Sequence, residues 1–416
     1  MKEQIDTVIV GAGQAGLAMS YHLSQRGREH VVLERARVAE RWRSQRWDSL
    51  MFQFPNWSIE LPGCLYAGNN PDGFSHKDEV LAFIEAYAIR SKAPVQIGVE
   101  VLSLRAASRP ERYLVSTNAG EFESRNVVIA TGPYQRPRIP TLSKRLPPDV
   151  LQVHASDYRN PGQLPPGGVL VIGSGASGCQ ISEELLAAGR QVFFAIGRHR
   201  RVPRRYRGRD VFWWRRVLGH LDQKAEDTPV EHREPPPLVT GVGGGHDVDI
   251  RSYAKDGMIL LGHVRQIDNG RVSLAEDLEQ SLTGGDQTFN EFTAAVDEYL
   301  RSGDLDVAWT QISPSPTAAQ KLVTEIDIAG ANVRSVVWAT GYVLDFRWIK
   351  LPIFDQRGEP IQRRGVTPAP GIYFLGLAWM HKVKSSFLYG VGEDAEHLAE
   401  RICELPAAEN VQSATQ

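Results

Sequence analysis

With 416 residues and 42% hydrophobic content, the chain is long enough to bury a full core and to fold as two or three domains. Its formal net charge of −2 offers no overall attraction to nucleic acid or to an anionic membrane. The three cysteines, Cys64, Cys179 and Cys403, lie far apart with no C-x-x-C, which excludes a zinc knuckle and the dithiol of a disulphide reductase.

The first ten residues run straight into a strand without a charged leader or a cleavage site, and no charge-free apolar run approaches a membrane span. The expectation is a cytoplasmic protein with reduced thiols and no membrane partner. Val8–Val10 leads into Gly11-Ala12-Gly13-Gln14-Ala15-Gly16, a helical stretch to Gly27, and a second strand Val31–Leu33 that ends on Glu34. In such a unit one glycine makes the tight turn, one lets a pyrophosphate approach the backbone and one lets the helix pack on the strand, with the phosphates on the helix N-terminus. Glu34 stands where a carboxylate would hold ribose hydroxyls. The candidate contacts of this first site are Gly11, Gly13, Gln14, Ala15, Gly16, Glu34 and Arg35. Trp42, Arg43 and Trp47 follow and would wrap the bound cofactor, although aromatics at such spacing are as often core.

The strand Val127–Ile129 runs into Ala130-Thr131-Gly132, and Pro-rich stretches at 137–148 and 161–168 mark joints. The first pattern then recurs at an offset of 162: Leu170–Ile172, Gly173-Ser174-Gly175-Ala176-Ser177-Gly178, a helix to Gly189 and a strand Val192–Phe194. One such turn is weak evidence; two complete units in register make an unrelated glycine-rich turn improbable. Glu34 corresponds to Ile196, followed by Gly197-Arg198-His199-Arg200-Arg201 with no carboxylate nearby. A carboxylate suits a free 2′-hydroxyl and an arginine suits a 2′-phosphate. The first turn is therefore expected to take FAD and the second NADPH, the latter through Gly173, Ser174, Gly175, Ser177, Gly178, Arg198 and His199. Most of the seven arginines between 198 and 209 are expected on a solvated face, and no stacking module beyond Trp213-Trp214 supports a nucleic-acid partner.

Residues 225–247, with Pro235-Pro236-Pro237 and Gly243-Gly244-Gly245, read as a long mobile loop. From Leu274 to Leu300 the apolar spacing predicts a helical insertion, about 274–302, either packed on the second domain or capping the substrate. Pro314-Ser315-Pro316 marks another joint. Val336-Val337-Trp338-Ala339-Thr340-Gly341 repeats the earlier Ala-Thr-Gly element, where a small residue lets backbone pass close to a cofactor or the other domain. Thr131, Gly132, Thr340 and Gly341 join the candidate contacts. The two elements bracket the second unit, which defines an α/β fold class: two dinucleotide-binding, Rossmann-like domains, with an NADPH-binding domain (166–334) inserted in a discontinuous FAD-binding domain (1–165 and 335–416). Ile372–Gly376 reads as a buried strand, and Gly390-Val391-Gly392 opens an amphipathic helix to Ile402 whose N-terminus would face the flavin. Lys382 and Lys384 are expected to be solvated, and the tail beyond Leu405 to fray.

These residues together resemble the class B flavoprotein monooxygenases, the family of flavin-containing monooxygenases, bacterial N-hydroxylases, plant YUCCA-type enzymes and Baeyer-Villiger monooxygenases. The likeness runs from Val8 to about Ala399. It is most specific in the two turns, the paired Ala-Thr-Gly elements, and Arg46–Trp57, which resembles the flavin-side stretch of YUCCA-like bacterial members. Of the family signature F-x-G-x-x-x-H-x-x-x-(F/Y), His154 and Tyr158 match while the phenylalanine and glycine are absent; the terminal tyrosine is more like the flavin-containing monooxygenase branch than the Baeyer-Villiger pattern. His154 is expected to link the two domains rather than to act as a base or metal ligand. The resemblance implies that NADPH reduces the flavin, that dioxygen forms a flavin C4a-hydroperoxide, and that one oxygen passes to a small organic substrate by N- or S-hydroxylation, Baeyer-Villiger insertion or oxidative decarboxylation. It also implies an amide or similar side chain over the flavin. Gln53, where related sequences often carry asparagine or histidine, is the catalytic candidate, because its carboxamide both donates and accepts; a surface glutamine is the plain alternative. The rival reading is an NADPH-dependent flavin reductase or oxidase that passes electrons to a quinone, a protein or oxygen. No metal is expected, and a homodimer is compatible with the sequence without being specified by it.

Overall fold

The structure is a computed structural model that describes residues 2–230, 233, 236–303 and 322–404. The first sheet begins with β1 (Lys2–Val10), followed by α1 (Gln14–Gln25), β2 (His30–Glu34), α2 (Glu40–Ser44), α3 (Lys77–Arg90) and β3 (Val95–Ile97). A meander of β4 (Val101–Ala106), β5 (Tyr113–Thr117) and the long β6 (Gly120–Ile129) completes its first part. The chain continues through β7 (Arg136–Pro137) into β8 (Leu151–His154), β9 (Gly168–Ile172), α4 (Ala176–Ala187) and β10 (Val192–Ala195). After β11 (Arg205–Tyr206) and β12 (Arg209–Asp210) come α5 (Val211–Val217), α6 (Ile250–Lys255), β13 (Ile259–Leu261), β14 (Val264–Asp268) and β15 (Arg271–Leu274). The described chain ends with α7 (Leu278–Ser302), β16 (Glu325–Asp327), β17 (Val333–Trp338), β18 (Tyr342–Val343), β19 (Ile372–Phe374) and α8 (Val391–Glu404).

The 162-residue repeat is a repeat of topology as well as of sequence. Sheet one runs β3-β2-β1-β6-β5-β4, with β19 parallel to the last residues of β6. Sheet two runs β13-β10-β9-β17-β8, all parallel. Each therefore has a central strand, β1 or β9, whose apolar run (Val8–Val10 in β1, Val169–Ile172 in β9) is buried and fits a strand covered on both faces. On one side of it lie two parallel neighbours, and on the other the strand that leads into Ala-Thr-Gly. Sheet two draws β8 and β17 from residues 151–154 and from 333–338, so it extends outside the 166–334 range read from the sequence. Local periodicity gives strands but not their partners, and the partner of β17 is the second turn's own strand.

Two further expectations change. Leu274 closes β15, and the long helix starts only at Leu278, because Val264–Leu274 and Ser273–Glu325 pairing captures that segment as a strand. α7 packs on the second unit through Leu282, Phe289, Phe292 and Val296. The described part of 225–247 is pinned: Leu238 N–H donates to Arg200 O at 2.8 Å, Gln180 Nε2 donates to Val239 O at 3.0 Å, and a Cβ on Gly241 would overlap Phe52 O. The Pro314-Ser315-Pro316 joint and the tail beyond Leu405 lie outside the described residues. Among the described residues no helix is long and apolar enough to cross a membrane, and no group of three or more His, Cys, Asp or Glu could hold a metal.

Candidate active site

The first turn is built by contacts that only glycine permits at two of its three positions. Gly11 has φ +108°, donates its N–H to Leu33 O at 2.8 Å, and would put a Cβ 2.7 Å from Ala130 O. A Cβ on Gly16 would overlap Gly11 O, so its absence lets α1 lie on β1. Gly13 differs: at φ −87° and ψ −173° any residue would fit, and a Cβ would meet no protein atom within 4 Å. Protein packing supplies no reason for glycine there, and the open space stands at the N-terminus of α1. Glu34 holds the rim, its carboxylate accepting from Ala12 N–H at 2.9 Å and Ala36 N–H at 3.0 Å, and Arg35 beside it is exposed. The C-terminal segment closes the other side: Gln14 Nε2 donates to Ser386 O at 2.7 Å, and a Cβ on Gly376 would lie 2.6 Å from the Ala15 methyl.

The second turn repeats this plan. Gly173 has φ +108° with Ala339 O 2.5 Å from its would-be Cβ, Gly178 would overlap Gly173 O, and Gly175, at φ −73° and ψ 177°, again faces open space. The Ala-Thr-Gly elements thereby acquire a role, since their alanine carbonyls sit against the first glycine of each turn. Their ends meet where β7 pairs with β18. Gln135 Nε2 donates to Thr131 Oγ1 and Gly132 O, both at 2.9 Å, while the Thr340 hydroxyl donates to Arg138 O and Gly341 O accepts from His154 Nε2 at 3.0 Å. Ser174 does for this turn what Glu34 does for the first, pairing with both N–H and O of Gly197 at 2.9 and 3.1 Å. Ser177 is half-buried in the first turn of α4.

Beyond Gly197 the basic run is mostly not solvated, which corrects the expectation. Arg201 pairs with Asp249 at 3.1 Å and Asp286 at 3.2 Å, Arg207 with Asp297 at 2.8 Å, and Arg204 with Asp210. Two of those carboxylates, Asp286 and Asp297, belong to α7, which the sequence could not place over the run. Arg198 is exposed, whereas the His199 ring is buried so closely under α7 that a Cβ on Gly285 would overlap it.

Gln53 is half-buried, and its backbone carbonyl accepts from Arg204 Nη1 at 2.7 Å. Arg204, 2% exposed, binds Asp210 through two nitrogens at 2.8 Å and lies over the Phe74 ring. Phe52 and Phe54, the neighbours of Gln53 in sequence, lie 5.6 Å from each other, and Phe54 is stacked on Phe212 at 4.3 Å with Phe387 at 5.1 Å. Sequence reasoning passed over Arg204, Phe212 and Phe387; the arginine run and the Val211–Trp214 apolar cluster were the only signals. Trp42 lies 6.0 Å from Phe52, and Arg43 pairs with Glu85. Trp47, by contrast, is buried in the core of the second sheet, so it does not wrap the first site. Lys384 is also buried and, with Lys382, shares Asp222 and Glu393; the lysines are neutralised rather than solvated. His154 is 2% exposed between Ser156 Oγ and Gly341 O, and burial pushes its pKa down, so it is a neutral tie between β8 and the second Ala-Thr-Gly loop.

A groove of about 590 Å³ lined by Pro161, Gly167, Arg190 and Asn332 lies at the amino ends of the strands of sheet two. Ligands in open α/β sheets bind beyond the carboxyl ends, where both glycine turns are.

Residues 8–207 match the pyridine nucleotide-disulphide oxidoreductase family. The chain is 33% identical over 403 residues to a CzcO-like oxidoreductase of Geobacillus kaustophilus, covering 96% of this chain and 98% of the relative. It is 33% identical over 184 residues to the indole-3-pyruvate monooxygenase YUCCA1 of rice, covering 44% of this chain and 45% of that one. A flavin-containing monooxygenase from Stenotrophomonas maltophilia has the same fold, with a TM-score of 0.67 at 19% identity over 97% of this chain and 99% of that chain.

Proposed function

Because this chain belongs to the CzcO-like oxidoreductases, within the class B flavoprotein monooxygenases, we propose that it binds FAD at the first turn and NADPH at the second and oxygenates a small organic substrate with dioxygen. The observation that carries the reading is the matched pair Gly13 and Gly175, each the N-cap residue of a helix with a backbone any residue could adopt and no protein atom within 4 Å of a would-be Cβ, the first followed by a strand that ends on Glu34 and the second by a strand that leads to Arg198. Bound flavin supplies hydride acceptance from the nicotinamide and the activation of dioxygen.

The chain's own residues do the rest. Gly13, Gly16 and the α1 N-terminus receive the FAD pyrophosphate while Glu34 accepts from ribose hydroxyls; Gly175, Gly178 and Ser177 receive that of NADPH, and Arg198 pairs with its 2′-phosphate. The Thr131-Gly132 and Thr340-Gly341 loops line the passage between the two sites. Gln53 presents its amide to the reacting oxygen, and Phe52, Phe54 and Phe387 exclude water around it. The division into a discontinuous FAD domain and an inserted NADPH domain follows the two turns, and the enzyme works in the cytoplasm on a dissolved substrate.

A screen of small nitrogen, sulfur and carbonyl compounds under ¹⁸O₂ tests this. The proposal requires at least one compound that accelerates NADPH loss and gains one labelled oxygen per NADPH consumed. Stoichiometric hydrogen peroxide with no labelled product across the screen would establish the reductase or oxidase reading instead. The matched family is described as disulphide oxidoreductases, whereas Cys64, Cys179 and Cys403 of this chain are free cysteines.

A further inference from the structure

The exposed end of the second turn offers a histidine that local sequence does not. β10 and β13 run parallel with Ala195 opposite Leu261, and Ile196 N–H donates to Leu261 O at 2.9 Å. Continued past the strand ends, this register brings His263 level with Gly197: an ideal Cβ on Gly197 would lie 2.8 Å from His263 Nε2. The histidine is held by Asp277, which accepts from the His263 backbone N–H at 3.0 Å and stands 2.6 Å from Nδ1. Nε2 is thus the ring atom presented to the turn, on a side chain 54% exposed. His199, adjacent in sequence to Arg198, faces the opposite way, into α7.

We propose that His263, oriented by Asp277, joins Arg198 in reading the 2′-phosphate at the second turn and so sets the preference for NADPH over NADH. This rests on the second turn being the NADPH site. The charge arrangement supports it. The fold brings a carboxylate, Asp277, to a place where a bare carboxylate would repel a 2′-phosphate, yet both its oxygens are spent on His263. With that carboxylate at Nδ1, a phosphate oxygen at Nε2 would complete a carboxylate–imidazole–phosphate arrangement. The nearby Arg201 and Arg251 are occupied by Asp249, Asp286 and Glu279, which leaves Arg198 and His263 for a ligand.

The test is isothermal titration of the purified FAD-containing enzyme with adenosine 2′,5′-bisphosphate and with adenosine 5′-monophosphate. H263A is expected to weaken the bisphosphate about tenfold or more, through loss of a charge-assisted contact and exposure of Asp277, and to leave the monophosphate unchanged. H263A/D277N should recover part of that loss, because the repelling carboxylate is gone; failure to recover overturns the assigned part of Asp277. Unchanged bisphosphate affinity in H263A, or equal losses for both ligands, overturns the proposal and makes His263 a packing residue. A wild-type enzyme that does not prefer the bisphosphate overturns the NADPH reading of the turn itself, and the proposal with it.

Discussion

Replacing Gly13 with alanine separates what the protein needs from what the ligand needs. The backbone there, φ −87° and ψ −173°, is open to any residue, and the new methyl would meet no protein atom within 4 Å. Gly→Ala at a compatible position stabilises a chain by about 0.4–1 kcal/mol through the unfolded state. The G13A apoprotein should therefore unfold in urea at the wild-type midpoint or slightly above it. FAD is another matter, because the methyl occupies the space through which a pyrophosphate reaches the α1 amides. An overpacked methyl costs about 1–3 kcal/mol, or roughly one to two decades of affinity. G16A is the contrast: its methyl would overlap Gly11 O, so the apoprotein itself should be destabilised. Urea unfolding of the apoproteins, combined with fluorescence titration by FAD, measures both quantities. G13A that binds FAD with wild-type affinity, or whose apoprotein loses stability, would refute the assignment of this turn. G175A should behave likewise toward NADPH and leave FAD binding intact.

R198A should raise the NADPH Michaelis constant by roughly one to two decades, the worth of an arginine–phosphate contact of about 1.5–3 kcal/mol, and leave NADH nearly unchanged; equal losses for both would show that Arg198 does not read the 2′-phosphate. Q53L keeps size and removes every donor and acceptor, so NADPH should still reduce the enzyme while the fraction of NADPH lost as hydrogen peroxide rises by up to one or two decades; unchanged coupling would leave Gln53 a packing residue. His246 Nε2 donates to the Glu183 carboxylate at 3.0 Å, and that hydrogen bond raises its pKa above the ordinary value. A raised pKa in the folded state contributes stability below about pH 6.5 that is lost as pH rises through the folded value. H246Q should accordingly lower the melting temperature at pH 5.5 and have little effect at pH 8.5; an equal decrement at both would mean that the charge is irrelevant.

Much of the architecture was legible because dinucleotide turns are local. Gly11, Gly13 and Gly16, and Gly173, Gly175 and Gly178, lie within one strand–turn–helix segment each, and the backbone geometry that selects them is decided over six residues. The shared offset of 162 was visible for the same reason. The α8 amphipathicity and the burial of Ile372–Phe374 are likewise properties of short windows.

What sequence could not reach is pairing between windows. Most of the arginines between 198 and 209 read as solvated because the partners of Arg201 and Arg207, Asp286 and Asp297, stand on a helix some eighty to ninety residues away, and only packing of α7 brings these opposite charges together. Trp47 and Lys384 were misplaced for the same reason: hydrophobicity or charge states what a side chain prefers, whereas which neighbour satisfies that preference depends on the sheet or helix above it. The clearest case is the second turn, where sequence proximity offered His199 and parallel strand register delivers His263 to Gly197 instead. By itself the sequence determined the two glycine turns and the strand–helix units that carry them. Tertiary structure decided which charges are spent on each other and which face the turns, since Coulombic and hydrogen-bonding partners are chosen by distance in space and not by distance along the chain.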